Sequence, residues 1–426
     1  MLKNLFKKYF TDSFFLNIPL VINTLLALVT LPIVLSNLPI IDYGKWQFVY
    51  TIQIWLSNLV GRHITLASKR GIVKGLDGTF LYALRERLKL LIMSVVPILA
   101  IAVYLKILGH NIFPTLLLII SLYLILGHLF QISFYEFLIA KKRFRDWCLW
   151  QILIYSISAV GSAIVALLTK DVICFALFQL GSISILSWIG CLGIIKKYKL
   201  IDSYKKGRID RECVPYGLKL IPVDFTAITA NKISNFIIGS FFGFENLAVF
   251  SVADKLKEKC SSVIKTFRPL LYADFAKAER DKLISIINRY LIKIGILAFF
   301  LTFGFIVAAW VYIKFLLPET FHSAIIYFSI LAVMFPAAAL ITILRTLLES
   351  HLRYKELTVV GIVPNLIKIS LIVVFGYLWH IIGICFALTL SVWVNFGFYY
   401  LLTIKKDLAL KILDKFPLLK KMVQKY

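Results

Sequence analysis

Apolar runs as long as a membrane is thick recur along almost the whole of this 426-residue chain. The hydrocarbon core of a bilayer is about 30 Å thick, so an α-helix needs about 20 residues to cross it. Apolar residues make up 60% of the chain and charged residues 16%, which leaves too much apolar surface for a soluble core. The sequence therefore predicts an all-α membrane protein with twelve transmembrane helices around a central cavity. The predicted spans are residues 13–36, 46–66, 90–108, 113–136, 147–168, 172–195, 215–241, 246–270, 290–316, 323–347, 357–378 and 381–403.

The eighth span is the least apolar, because residues 254–259 read Asp-Lys-Leu-Lys-Glu-Lys. The loop charges decide whether it crosses, since cytoplasmic loops are enriched in Lys and Arg. With twelve spans, 33 Lys and Arg residues lie on the side of both termini and four lie on the other side. Without the eighth span, 13 of those positive residues would move to the outer side. The sequence thus predicts twelve spans with both termini in the cytoplasm.

Similar short segments recur about 200 residues apart. Residues 143–146 read Arg-Phe-Arg-Asp and residues 353–356 read Arg-Tyr-Lys-Glu, while Asp42 and Glu245 precede comparable spans. Since each half would contain an even number of spans, the two halves are predicted to be parallel repeats. The predicted organisation is an N-terminal six-helix half at 1–200, a cytoplasmic linker at 201–214, a C-terminal six-helix half at 215–406 and a basic cytoplasmic tail at 407–426.

Eleven Lys and Arg residues lie within the predicted spans. A charge that faces lipid costs about 2.5–3.5 kcal/mol, so most of them should face water or one another. Lys368 is assigned to a span end, where its long side chain reaches the interface, and Lys257 falls on the far side of the eighth helix. The remaining polar residues recur at helical spacing in the second, seventh and eighth spans. The predicted cavity residues are Asn58, Arg62, Lys219, Asp224, Asn231, Lys232, Asn235, Asp254, Lys255, Glu258 and Lys265.

The charges of these three spans favour an anionic ligand, and a phosphate in particular. Six basic residues oppose three acidic ones: Arg62, Lys219, Lys232, Lys255, Lys259 and Lys265 against Asp224, Asp254 and Glu258. The alternative is that the charges form ion pairs within the bundle. Those pairs would be Asp254 with Lys257 or Lys255, Glu258 with Lys255, and Asp224 with Lys232.

Other chemistry has little support in the sequence. Cys and His residues are scattered without metal-ligand spacing, and no P-loop motif is present. We therefore expect no catalytic residue, no metal and no cofactor. The net charge of +26 belongs mainly to the loops, which gives no reason to expect nucleic acid as a partner.

Three short motifs carry a resemblance to a known family. Residues 38–44 read Leu-Pro-Ile-Ile-Asp-Tyr-Gly, Gly61-Arg62 precedes Lys69-Arg70, and Phe144-Arg145-Asp146 follows the fourth span. With twelve spans and a charged eighth helix, the chain resembles the multidrug/oligosaccharidyl-lipid/polysaccharide flippase superfamily, and within it the Wzx-type O-antigen or capsule flippases.

The resemblance implies a function in polysaccharide or lipopolysaccharide biosynthesis. Flippases of this kind move polyprenyl-pyrophosphate-linked oligosaccharides across the bacterial inner membrane by alternating access, and spans one, two, seven and eight line their cavity. The implied partners are the lipid-linked oligosaccharide, the bilayer and other glycan-assembly membrane proteins. A coupling ion, Na⁺ or H⁺, is left open.

Three alternatives remain at this point. A cation-coupled multidrug or metabolite exporter of the same superfamily would use Asp224, Asp254 or Glu258 to take up cations. A major-facilitator-type transporter has the same number of spans, but its usual loop between spans two and three is not matched here. A membrane glycan polymerase would normally present a larger outer loop to its acceptor than the short loops of this chain.

Overall fold

The computed structural model describes residues 2–59, 62–109, 111–219, 221–265, 280–350 and 354–404. All regular structure in these ranges is helical. The helices of the first half are α1 (Leu2–Asn37), α2 (Ile40–Leu59), α3 (Arg62–Val73), α4 (Thr79–Ile107), α5 (Ile112–Tyr123), α6 (Leu129–Ala140), α7 (Phe144–Thr169), α8 (Val172–Lys197), α9 (Leu200–Lys205) and α10 (Cys213–Lys219). They are followed by α11 (Ile221–Ile237), α12 (Phe244–Lys265), α13 (Arg280–Leu316), α14 (Ala324–Ala332), α15 (Phe335–Ser350) and α16 (Tyr354–Ile404). Short π-helical segments extend α5 and α11, at Leu124–His128 and Ile238–Phe242.

Each of the twelve predicted spans corresponds to a helix or a pair of consecutive helices. Within the described ranges, seven helices are long and apolar enough to cross a membrane, and an eighth span results if the bent pair α14 and α15 counts as one. The 51-residue α16 contains two spans, because Trp379 and His380 leave helical geometry and divide it into two apolar arms. Gly383 then approaches the carbonyl of Phe375 so closely that no side chain would fit there. The remaining three spans are the polar ones, formed by α2 with α3, α11 with its π-helical extension, and α12.

The exposed surface of the spans is apolar, as a lipid solvent requires. Val29, Met93, Phe299 and Tyr377 are each more than half exposed. Many Ser and Thr hydroxyl groups within the helices need no water, since they donate to a carbonyl one turn earlier. Thr302, for example, donates to the carbonyl of Ala298 at 2.7 Å.

The chain divides into two compact units, residues 1–228 and 229–426. In the first unit, α1 packs along α7, and α7 and α8 form a hairpin. Lys170 closes α7 in the left-handed conformation, and Asp171 caps α8 by accepting a hydrogen bond from the backbone N–H of Ile173. Gly217 of α10 lies against the backbone of Ile64 in α3, where a larger residue would collide.

The predicted cytoplasmic linker is attached to the first unit by hydrogen bonds. Ser203 Oγ accepts from the backbone N–H of Gly78 at 3.0 Å, and Thr79 Oγ1 accepts from the backbone N–H of Asp210 at 2.8 Å. Arg70 adds an ion pair with Glu212 at 2.6 Å. Residues 203–212 are thereby held against the α3–α4 turn.

In the second unit, α12 packs against α14 and α15, and α15 packs against α16. The core between α15 and the two arms of α16 is entirely apolar. It consists of Ile343, Leu344, Leu347, Leu348, Val359, Val360, Val363, Tyr399 and Leu402. Three lysines of this unit, Lys232, Lys257 and Lys368, lie on α11, α12 and the first arm of α16, respectively.

Candidate functional site

The predicted cavity residues are divided between the two units. Asn58, Arg62, Lys219 and Asp224 belong to the first unit, and the other seven belong to the second. The side chains of Asp224 and Lys265 lie outside the described part of the structure.

An ion pair on α12 is largely enclosed by the second unit. Lys257 Nζ donates to the Asp254 carboxylate, and both side chains are largely buried. The prediction that Lys257 points away from the charged face is wrong, because residues three apart are neighbours on a helix surface. The alternative pairing of Asp254 with Lys257 is the one that forms.

A second contact joins α11 to α12. Lys232 Nζ lies 3.6 Å from Glu258 Oε1, and the lysine is largely buried while the glutamate is 58% exposed. The ion-pair alternative names Asp224 as the partner of Lys232 and Lys255 as the partner of Glu258, and the side chain of Asp224 lies outside the described part of the structure. The observed pair links two helices, and spacing along one chain segment gives no information about such contacts.

Lys368 brings a third ammonium group to the same place. It lies near the middle of the first arm of α16, and its Nζ donates to Asn231 Oδ1 at 2.8 Å. The charges of Lys257, Asp254 and Lys232 all act on it. Assigning Lys368 to the interface was therefore wrong, since 14 residues separate it from the start of α16, a rise of about 21 Å.

These side chains form what we call the lysine cluster: Lys232, Lys257 and Lys368 with Asp254, Glu258 and Asn231. Three ammonium groups meet two carboxylates, so the cluster has a formal excess of one positive charge. The exposed Glu258 leaves it open on one side. Two other predicted cavity residues are close in sequence to this cluster. Lys255 is half-buried on α12, and Asn235 is buried on α11.

Of the predicted cavity residues in the first unit, Arg62 and Lys219 are exposed and Asn58 is half-buried. Arg62 begins α3 and its Nη1 donates to Asn58 Oδ1 at 2.8 Å, while Lys219 is exposed at the end of α10. Two further polar residues of span two, Gln47 and Thr51, are buried inside the first unit.

Sequence reasoning missed Arg87, which we counted among the cytoplasmic loop residues. Its side chain is fully buried, and it donates to Thr65 Oγ1 at 3.2 Å and to the Ser57 carbonyl at 3.3 Å. It thus joins the two described parts of span two, α2 and α3. The error arose because α4 begins at Thr79, well before the apolar run that predicted a span from residue 90.

Among the described residues, no group of three or more His, Cys, Asp or Glu side chains is placed to hold a metal ion. The six cysteines are free thiols. The chemistry that the lysine cluster offers is therefore electrostatic: it can bind an anion through ammonium groups.

Comparison with known families agrees with this membrane architecture. A family model described as "Polysaccharide biosynthesis protein" matches residues 87–326, more than half of the chain. No curated protein matches the chain significantly.

Solved structures with a similar fold are MATE transporters. A MATE protein in complex with MaL6 has a TM-score of 0.67 at 16% identity, over 94% of this chain and 96% of that one. An inward-facing multidrug resistance MATE family transporter of the MOP superfamily has a TM-score of 0.65 at 15% identity, over 91% and 95% of the two chains. The outward-facing conformation of such a transporter also gives 0.65, at 16% identity and over 94% and 96%.

These matches confirm the predicted all-α fold of twelve transmembrane helices. The chain belongs to the polysaccharide biosynthesis protein family, and its fold is similar to that of MATE transporters.

Proposed function

We propose that this protein is a flippase that moves polyprenyl-pyrophosphate-linked oligosaccharide repeat units, precursors of O-antigen or capsule, across the bacterial inner membrane. The observation that carries the proposal is the excess positive charge of the lysine cluster, where three ammonium groups meet two carboxylates. A pyrophosphate diester is a dianion, and it would satisfy ammonium groups that the carboxylates leave partly unmatched.

The electrostatic gain is large enough to matter. Two unit charges about 4 Å apart interact by about 4 kcal/mol at an effective dielectric constant of about 20, before desolvation is subtracted. The lysines already lie within the protein and are held by Asp254, Glu258 and Asn231, so the ligand does not have to order them. Lys368 is the best placed to gain, because its hydrogen-bond partner in the cluster is an uncharged amide.

The family and fold support the rest of the proposal. A polysaccharide biosynthesis family with a transporter fold fits a protein that delivers glycan precursors by alternating access, as in the Wzx-type branch. Both termini face the cytoplasm in this proposal, and the partners are other membrane proteins of glycan assembly. Reporter fusions after Leu200 and after Asp42 test the orientation, with cytoplasmic and periplasmic signals expected, respectively.

The second candidate is a cation-coupled multidrug or metabolite exporter of the same superfamily. It is favoured by the similarity to multidrug resistance MATE transporters and by the carboxylates of α12. In that case Asp254 would exchange Na⁺ or H⁺, and the ion would have to displace Lys257. A coupling ion is also compatible with the flippase, whose driving force we leave unassigned.

The direct test is complementation of a strain that lacks its own O-antigen or capsule flippase. Expression of this protein should restore surface glycan, and repeat units should no longer accumulate in the cytoplasmic leaflet. Purified protein in proteoliposomes should also expose a lipid-linked oligosaccharide to an external glycosidase. Drug efflux without glycan translocation would favour the exporter, and restored polymer length without translocation would favour a glycan polymerase.

A further inference from the structure

An apolar cavity of about 110 Å³ lies in the second unit, between α12, α13 and α15. Ile264 lines it from α12, Ala298 and Leu301 from α13, and Ala339 from α15. The small side chains of Ala298 and Ala339 leave space between two spans that bulkier residues would fill. The gap is thus a consequence of these two alanines.

The cavity offers nothing to a polar ligand. Its hydroxyl-bearing residue, Thr342, donates to the carbonyl of Ala338 at 2.9 Å and is therefore already satisfied. Leu297 on its rim is 49% exposed, so the cavity is continuous with the lipid-facing surface of α13. Its occupant should be an apolar chain that enters from the membrane.

The position of Ile264 connects the cavity with the lysine cluster. Ile264 follows Lys257 by seven residues on α12, which places both on the same face, about 10.5 Å apart along the helix. A pyrophosphate held at the cluster would therefore have its attached chain begin two helical turns from the cavity.

We propose that this cavity binds an isoprene unit near the pyrophosphate end of the substrate's prenyl chain. The proposal rests on the flippase function proposed above. An engineered apolar cavity of about 150 Å³ stays dry and binds benzene, so a cavity of about 110 Å³ suits a branched unit of about five carbon atoms. The cavity also lies near the cytoplasmic ends predicted for spans eight, nine and ten. A flippase of this kind takes up its substrate on the cytoplasmic side.

The first experiment fills the cavity. Ala339→Leu and Ala298→Phe should lower the apparent affinity for a long-chain polyprenyl-pyrophosphate oligosaccharide by about tenfold in proteoliposomes. A short-chain analogue with a single isoprene unit is too short to reach across the two helical turns to the cavity, so these variants and the wild type should translocate it equally well. Ala308→Phe is the matched control, because Ala308 is an exposed alanine on the same helix outside the cavity.

The second experiment identifies the occupant and does not depend on transport. A long-chain polyprenyl pyrophosphate with a diazirine on its second isoprene unit should label peptides containing Ile264 or Leu301 in the detergent-solubilised wild type. Ala339→Leu should remove this labelling while the thermal stability of the protein is kept.

The outcomes separate the two proposals. If the wild type translocates no lipid-linked glycan and is not labelled, both fail. If it translocates long and short chains alike, and filling the cavity changes neither, the flippase function holds and the cavity proposal is wrong. Equal labelling by a diazirine phospholipid would show an ordinary bilayer acyl chain in the cavity and would also overturn the proposal.

Discussion

Arg87 in the first unit and Lys368 in the second are both cations within membrane-embedded helices, but their surroundings differ. Arg87 is fully buried and holds α2 and α3 together through Thr65 and Ser57. Lys368 is only half-buried and lies beside two other lysines, with the Asn231 amide as its acceptor. A buried cation can therefore serve to organise helices, or it can remain available for a ligand.

The difference also explains why a count of charges inside the membrane does not by itself locate a site. A charge that is enclosed and hydrogen-bonded has already been compensated by the fold. Where several cations lie beside fewer carboxylates, part of the positive charge is not neutralised and can attract an anion. The first unit contains the former kind at Arg87 and the second unit contains the latter kind in the lysine cluster.

The largest expected effect is that of Arg87→Ala. The change leaves a cavity and removes the donor to Thr65 and Ser57, so we expect a loss of about 3 kcal/mol and little folded protein in the membrane. Protein abundance and the melting temperature in detergent are the measurements. Arg85→Ala, at an exposed arginine of the same helix, should change neither. Normal abundance with lost glycan export would place Arg87 with the ligand-binding cations instead.

Replacing Lys368 should affect transport and leave folding intact. Lys368→Ala should weaken substrate capture by about 1–3 kcal/mol, which is roughly 5- to 150-fold in apparent affinity, and Lys368→Glu should be worse because repulsion replaces attraction. Surface glycan at matched expression is the measurement. Lys314→Ala is the control, since Lys314 lies over Trp310 away from the cluster. Full export by both Lys368 variants would remove the ligand role of this cluster.

The carboxylates should matter less than the lysines. Asp254→Asn and Glu258→Gln should reduce export only a few-fold if these groups orient Lys257 and Lys232. Glu258→Gln should be the milder change, because that side chain is exposed and its contact is longer. The order inverts for a cation-coupled exporter, in which Asp254→Asn would abolish transport while Lys232→Ala would not.

The sequence predicts the apolar spans well because lipid imposes length and hydropathy on them. Span eight was recovered through loop charges, and the structure has a helix over Phe244–Lys265. The partners of Lys232 and Lys368 could not be predicted, because those contacts join helices that are distant in sequence. The Asp254–Lys257 pair is different. Its spacing of three residues was visible in the sequence, which named this pair beside Asp254–Lys255 among the ion-pair alternatives.

The last prediction concerns local motion of the linker and should affect neither folding nor export. Like Arg87, the linker is held by hydrogen bonds, but these lie near the surface of the first unit. Burial raises the pKa of Cys213 to about 11, so its thiol should react slowly with a maleimide while the linker stays in place.

In a variant with Cys213 as the single cysteine, Thr79→Val leaves the Asp210 N–H without its acceptor. The lost hydrogen bond, about 1 kcal/mol, should raise the labelling rate about fivefold. Arg70→Ala removes ion pairs of the exposed Arg70 with Glu212 and with Asp210. Because ion pairs of exposed side chains are weak, it should raise the labelling rate less than threefold. A single cysteine at Cys174 should label at the same rate in all variants. If Arg70→Ala has the larger effect, the ion pair rather than the buried hydroxyl holds the linker, and enclosure is a poor guide to structural importance in this unit.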